Sequence, residues 1–211
     1  VLSIRRDWLD RSALWLGVAL CAVLVATAWR IEEQPVHEVG HERVSVSRRL
    51  REPRVRWFLL SAGLMVFAHG ALYTYFSIYL AQLGYSKSAI GVFWVLSIVF
   101  EIVFFFTQGR WFARFGQYAL LSASFLVAAV RFLLIAEFAT VWWVLVFAQL
   151  LHAMTFAVHH SASVLTIQRW FPGRAAARGQ AVYISAAYGI GGTAGSLTAA
   201  YLWTSGGPQW A

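Results

Sequence analysis

The sequence predicts an all-α membrane protein with six transmembrane helices. Of its 211 residues, 60% are hydrophobic and only 12% charged, where a soluble domain carries nearer a quarter charged. The apolar residues gather into six stretches, 12–29, 57–82, 88–108, 118–136, 141–165 and 179–203. Each has about the 20 residues needed to cross a hydrocarbon core of roughly 30 Å. Apart from 31–56, the connections are short, about 4 to 14 residues, which packs consecutive helices antiparallel.

The first stretch follows Arg5 and Arg6 and ends near Ala26-Thr27-Ala28, a pattern that also suits a secretory signal. That reading would put 31–56 outside the cell, yet this segment holds Arg43, Arg48, Arg49, Arg51, Arg54 and Arg56. Such arginine density marks a cytoplasmic loop. Lysine and arginine fall 12 on the side of 30–56, 109–117 and 166–178, and 4 on the other, with Arg131 inside a span. This asymmetry puts the first group in the cytoplasm. The net charge of +8 therefore orients the chain in a bilayer and does not point to nucleic acid. Segment 31–56, polar and interrupted by Pro35 and Pro53, reads as a linker with little apolar material to fold around. The single Cys21 excludes an internal disulfide framework and reads as a small core hydrophobe. With no Met at the start and an end at Gly206-Gly207-Pro208-Gln209-Trp210-Ala211, the chain reads as a piece of a longer protein.

Polar groups stranded inside the spans carry the functional reading, because hydrocarbon makes them costly. In 57–82, His69, Tyr73 and Ser77 share one helical face. Glu101 lies deep in the third span among Phe100, Phe104, Phe105 and Phe106. It is either a neutral structural carboxyl or a proton carrier. Arg131 lies toward the outer end of the fourth span and either snorkels to headgroups or faces a cavity as a cation for a carboxylate. Their different depths disfavour direct pairing of Arg131 with Glu101. In the fifth span Gln149, His152, Thr155, His159 and Ser163 form a polar stripe at helical spacing. His160 points away from His159, so the adjacent pair is no chelating unit. His69 and His152, both near mid-membrane, are placed to approach each other, as proton relays or as helix-bridging side chains. Gly191 and Gly195 in the last span form a close-packing face.

The segments HGALYTYFSIYLAQLGYSKSAIGVFWVLSIVFEI (69–102), VRFLLIA (130–136), QLLHAMTFAVHH (149–160) and QAVYISAAYGIGG (180–192) resemble the 3-phenylpropionate permease family of the major facilitator superfamily. In order and spacing they are similar to its helices seven to eleven. The resemblance implies the C-terminal part of a twelve-helix fold. Residues 1–30 would be the helix six region of the N-terminal half, 31–56 the inter-half linker, and 57–211 the C-terminal bundle without helix twelve. It also implies alternating access in a bacterial inner membrane, and proton-driven uptake of a small, often aromatic, organic acid. On that reading Arg131 attracts the carboxylate and Tyr73, Tyr75, Phe76 and Trp94 line the apolar part. Glu101, His69, His152 and His159 handle the proton. The partners are then the solute, protons, the lipid bilayer and the missing half, with no enzyme activity, cofactor or metal. The loop 109–117 looks like the superfamily's signature loop, with Ala113 where an acidic residue is usual. Two other readings remain open: a proton symporter for sugars or nucleosides, and a membrane cytochrome with haem held by His69, His152 and His159.

Overall fold

The computed structural model describes residues 45–206, together with Ala19, Ala22 and Val23. The chain divides into two units, Val1–Gly40 and His41–Ala211. In the first, the three described residues are helical; the rest of span 12–29 and residues 31–44 lie outside the described set. The second unit is a helix bundle.

A short helix α1, Val46–Leu50, starts at Ser45, whose hydroxyl accepts from the Arg48 amide. The end of the expected linker is thus folded, because Val46 and Leu50 find a cluster of Phe58, Ile167, Phe171 and Tyr183 to pack against. Helix α2, Pro53–Gln82, begins four residues earlier than its apolar run, with Pro in its first turn, where a missing amide hydrogen costs nothing. Just before it, Glu52 accepts from Arg49 at 3.0 Å and Arg54 at 2.8 Å. Desolvation pushes the Glu52 carboxyl up, but the hydrogen bonds from Arg54 and Arg49 outweigh it and hold the group below the usual range.

Helix α3, Lys87–Phe115, is capped by Ser86, whose hydroxyl accepts from Ala89. It overruns its predicted end and takes in most of the loop expected at 109–117. Nothing in that stretch breaks a helix until Gly116, whose φ of 75° is open to glycine at little cost. Helix α4, Gln117–Phe138, follows at once. Helix α5 runs over Trp142–Trp170 with a π-helical turn at Met154–Val158. After a 3₁₀ turn at Gly173–Ala175, helix α6 covers 176–206 without a break. It consists of Ala176–Ile184, a π segment Ser185–Gly192, and Thr193–Gly206.

Four of these, α2 to α5, are long and apolar enough to cross a membrane. At 1.5 Å per residue the 29 residues of α3 reach about 43 Å, beyond the roughly 30 Å hydrocarbon core. Helix α6 has comparable length but is diluted by glycine, alanine, serine and threonine. Those small residues let it lie against α2. A Cβ on Gly191 would strike the Gly63 carbonyl, and one on Gly195 the Phe67 carbonyl. Backbone meets backbone here, which lipid alone would not enforce.

Apolar clusters close the bundle at both ends. Val55, Phe58, Ile167, Phe171 and Tyr183 pack at the arginine-rich end. Leu72, Phe76, Leu80, Ile90, Phe93, Ile135 and Leu145 pack at the opposite end. The polar side chains lie between them.

Because carbonyls cannot move aside as side chains do, Gly195→Val is expected to lower stability by about 1–3 kcal/mol or more. Gly189→Ala, which meets open space, should be neutral. Thermal unfolding of the detergent-solubilised variants checks both; equal midpoints would show that the α2–α6 seam is not tightly packed.

Candidate functional site

At the centre, Glu101 on α3 meets His152 on α5, Oε1 to Nε2, at 2.8 Å. The imidazole is buried and the carboxyl keeps 15% of its surface exposed, so the pair is enclosed on one side and reachable from the other. A carboxyl and an imidazole at this distance share one proton, and either can be the donor.

His69 on α2 lies beside them, its ring centre 5.8 Å from that of His152. Its Nδ1 is 2.9 Å from the Met65 carbonyl. A carbonyl only accepts, so Nδ1 carries the hydrogen, and in neutral His69 the lone pair is on Nε2. That nitrogen faces the Thr155 hydroxyl at 3.3 Å. The same hydroxyl is 3.4 Å from Arg131 Nη1 and 3.2 Å from the His152 carbonyl, in the turn where a π register redistributes backbone donors. Thr155 therefore joins α2, α4 and α5.

Arg131 is 0% exposed. Its Nε donates to the Ala148 carbonyl at 2.9 Å, and its guanidinium lies 5.7 Å from the Phe132 ring centre, within cation–π range. Nη2 has no partner. Arg131 thus neither snorkels nor opens onto a cavity in this conformation: its fork is turned into the α4–α5 contact. Glu101 goes to His152, as the depth difference between Glu101 and Arg131 would lead one to expect.

The aromatic residues divide. Tyr73, 47% exposed, stacks on Trp94 at 6.0 Å and 20°, and Trp94 Nε1 donates to Ser77 at 3.0 Å. Phe76 is buried with its edge toward Trp94, and it also lines the groove that Tyr75 lines. Tyr75 does not join them. Two residues along a helix is about 200° of rotation, and it stacks instead on Trp203 at 4.5 Å. There it helps line a groove of about 810 Å³ between α2, α4 and α6.

The stripe Gln149, His152, Thr155, His159 and Ser163 is buried throughout, but His159 does not meet His152 or Glu101. It turns to Phe125 of α4, ring centres 5.3 Å apart, with a buried Nε2 that has no partner. His160 takes the place expected for it: His152, Phe156 and His160 stack nearly parallel, at 13° and 11°, and His160 Nδ1 meets the Tyr188 hydroxyl at 3.0 Å. The cause is the π turn at Met154–Val158. One extra residue per turn rotates everything beyond it, so the eighth residue after His152 aligns where the seventh would in a uniform helix. His69 and His152 direct their Nε2 atoms at Thr155 and Glu101, not at a shared ligand. Among the described residues no group of three or more His, Cys, Asp or Glu is placed to hold a metal ion.

Antiparallel apolar helices around a polar centre define a multi-pass integral membrane protein, and the family match makes it one of the transporter class. The chain matches the MFS_1 like family over residues 10–211 and belongs to it. It is 34% identical over 137 residues to the "Probable 3-phenylpropionic acid transporter" of Escherichia coli (strain K12). That alignment covers 64% of this chain and 36% of the relative; the chain spans little more than a third of the relative's length. No solved structure matches.

Arg131→Lys keeps the charge but loses the Nε donor to Ala148. Hydrogen bonds to charged groups contribute about 1.5–3 kcal/mol, and a loss of that size is expected in denaturant unfolding. Unchanged unfolding would mean that the bond contributes nothing to the fold.

Proposed function

We propose that this chain forms part of a proton-coupled carrier for a small organic acid, aromatic acids foremost, working by alternating access. The observation that carries the reading is the Glu101–His152 pair, half-enclosed beside the Tyr73–Trp94 wall. A group able to hold or surrender one proton stands next to an apolar surface that suits a flat ring. The printed name of the Escherichia coli relative supports an aromatic carboxylate as the solute.

In this mechanism the solute's ring packs against Tyr73 and Trp94. Its carboxylate is drawn by the positive field of Arg131, whose Nη2 is the guanidinium nitrogen left without a partner. The proton resides between Glu101 and His152. Both solute and proton bias one inward–outward equilibrium, which is what couples them. The arginine-rich end faces the cytoplasm of a bacterial inner membrane by the charge rule, and the facing half of the carrier completes the solute site. Tyr75 and His159 are outside this site. His69 serves as the neutral brace between Met65 and Thr155.

Uptake of labelled 3-phenylpropionate by cells expressing the complete reading frame tests the proposal. Accumulation should rise as the outer pH falls. Glu101→Gln should abolish this pH-driven accumulation, by about a hundredfold or more for loss of a positioned proton-transfer group, with exchange still measurable. Pre-loaded exchange inhibited by sugars or nucleosides but not by aromatic acids would reverse the assignment of substrate. Accumulation unchanged in Glu101→Gln would remove the carboxyl from the proton path.

A further inference from the structure

A second polar pair lies nearer the arginine-rich end. His160 on α5 and Tyr188 on the π segment of α6 are bonded at 3.0 Å. The Tyr183 ring is 6.3 Å from that of His160 and 6.1 Å from that of Tyr188, centre to centre. The Tyr183 hydroxyl is buried and makes no hydrogen bond. Phe156 lies between this pair and Glu101–His152, its ring parallel to both imidazoles, 5.5 Å from His152 and 6.3 Å from His160, with the rings of His69 and Tyr73 each 6.4 Å away. The titratable groups around His160 are His159 on its own helix, Tyr183 and Tyr188 on α6, and, beyond Phe156, Glu101 on α3 and Tyr73 on α2. These last two lie close enough to act on the Tyr188 hydroxyl through space.

We propose that His160 and Tyr188 form the next proton station, on the arginine-rich side of Glu101–His152, and that the Phe156 ring is the barrier between the two. The inference rests on the carrier reading above. A proton leaving the Glu101–His152 pair is taken up by the lone pair of His160. If that nitrogen is Nδ1, the new N–H donates to the Tyr188 oxygen, and the Tyr188 hydroxyl hydrogen turns toward Tyr183. No other bond breaks and no electron is transferred. While the phenyl ring lies flat between the imidazoles, it separates the two stations. A ring that swings aside admits water and connects them. The stacking puts this swing on the π turn of α5, the part of the helix where backbone hydrogen bonding is least regular.

Three variants of the complete carrier in proteoliposomes test this, with 3-phenylpropionate as solute and an entrapped pH dye as readout. Phe156→Ala should raise the substrate-free proton leak about tenfold, since an apolar plug is replaced by room for water; a leak equal to the parent's overturns the barrier. His160→Gln should lower pH-driven accumulation about a hundredfold, with exchange still readable as evidence of folding. Tyr188→Phe decides the matter should His160→Gln also lose exchange, because only a hydroxyl is removed: slowed accumulation supports the station, parental accumulation overturns it. Loss of accumulation in Glu101→Gln together with parental behaviour in both His160→Gln and Tyr188→Phe rejects this inference and leaves the carrier reading standing. Parental accumulation in Glu101→Gln, His160→Gln and Tyr188→Phe alike rejects both.

Discussion

The arrangement depends on one constraint: a carboxyl placed among phenylalanines at mid-helix must find a partner, and the partner is an imidazole on a neighbouring helix. Glu101 and His152 satisfy each other at 2.8 Å. That contact fixes α3 against α5 near the middle of the bundle, where apolar packing alone would tolerate sliding. Around it the other polar groups arrange themselves by elimination. His69 is committed to Met65 and Thr155, and Arg131 to Ala148 and Thr155. The acid and base are left to each other.

Arg131 shows how burial alters what a charge can do. A guanidinium on the surface of a cavity grips a carboxylate directly. This one is wrapped by its neighbours and acts at short range on the fold and at longer range through its field. A cation buried without a carboxylate partner is tolerable only with donors well used. One backbone carbonyl, one hydroxyl and one aromatic face do most of that work here. Nη2 is left without a partner.

Much of the fold was legible in the sequence because hydrocarbon length is a coarse constraint that composition reports directly. Among the described residues, the four spans from 57 to 165 fall on helices long and apolar enough to cross a membrane and 179–203 falls within one further helix, while the helix ends ran long. Pro53 starts α2 before the apolar run, and α3 continues to Gly116 for want of a breaker. The polar face of α2 followed simple helical spacing, and so did the approach of His69 to His152. Tyr75 lies apart from Tyr73 and Trp94, because two residues along a helix point to nearly opposite sides. The exchange of His159 for His160 was illegible for a deeper reason. A π turn shifts every residue beyond it by one position, and MTFAV carries no marker that separates such a turn from ordinary helix. Only the two adjacent histidines hinted that either register was available.

The central claim is that His152 and Glu101 share a proton. Nitrogen-15 NMR of histidine-labelled carrier reads it directly. Nε2 of His152 should carry the shift of a strongly hydrogen-bonded nitrogen, and Glu101→Gln should move it toward the ordinary value while leaving His69 in place. Identical His152 spectra with and without the carboxyl would contradict the account.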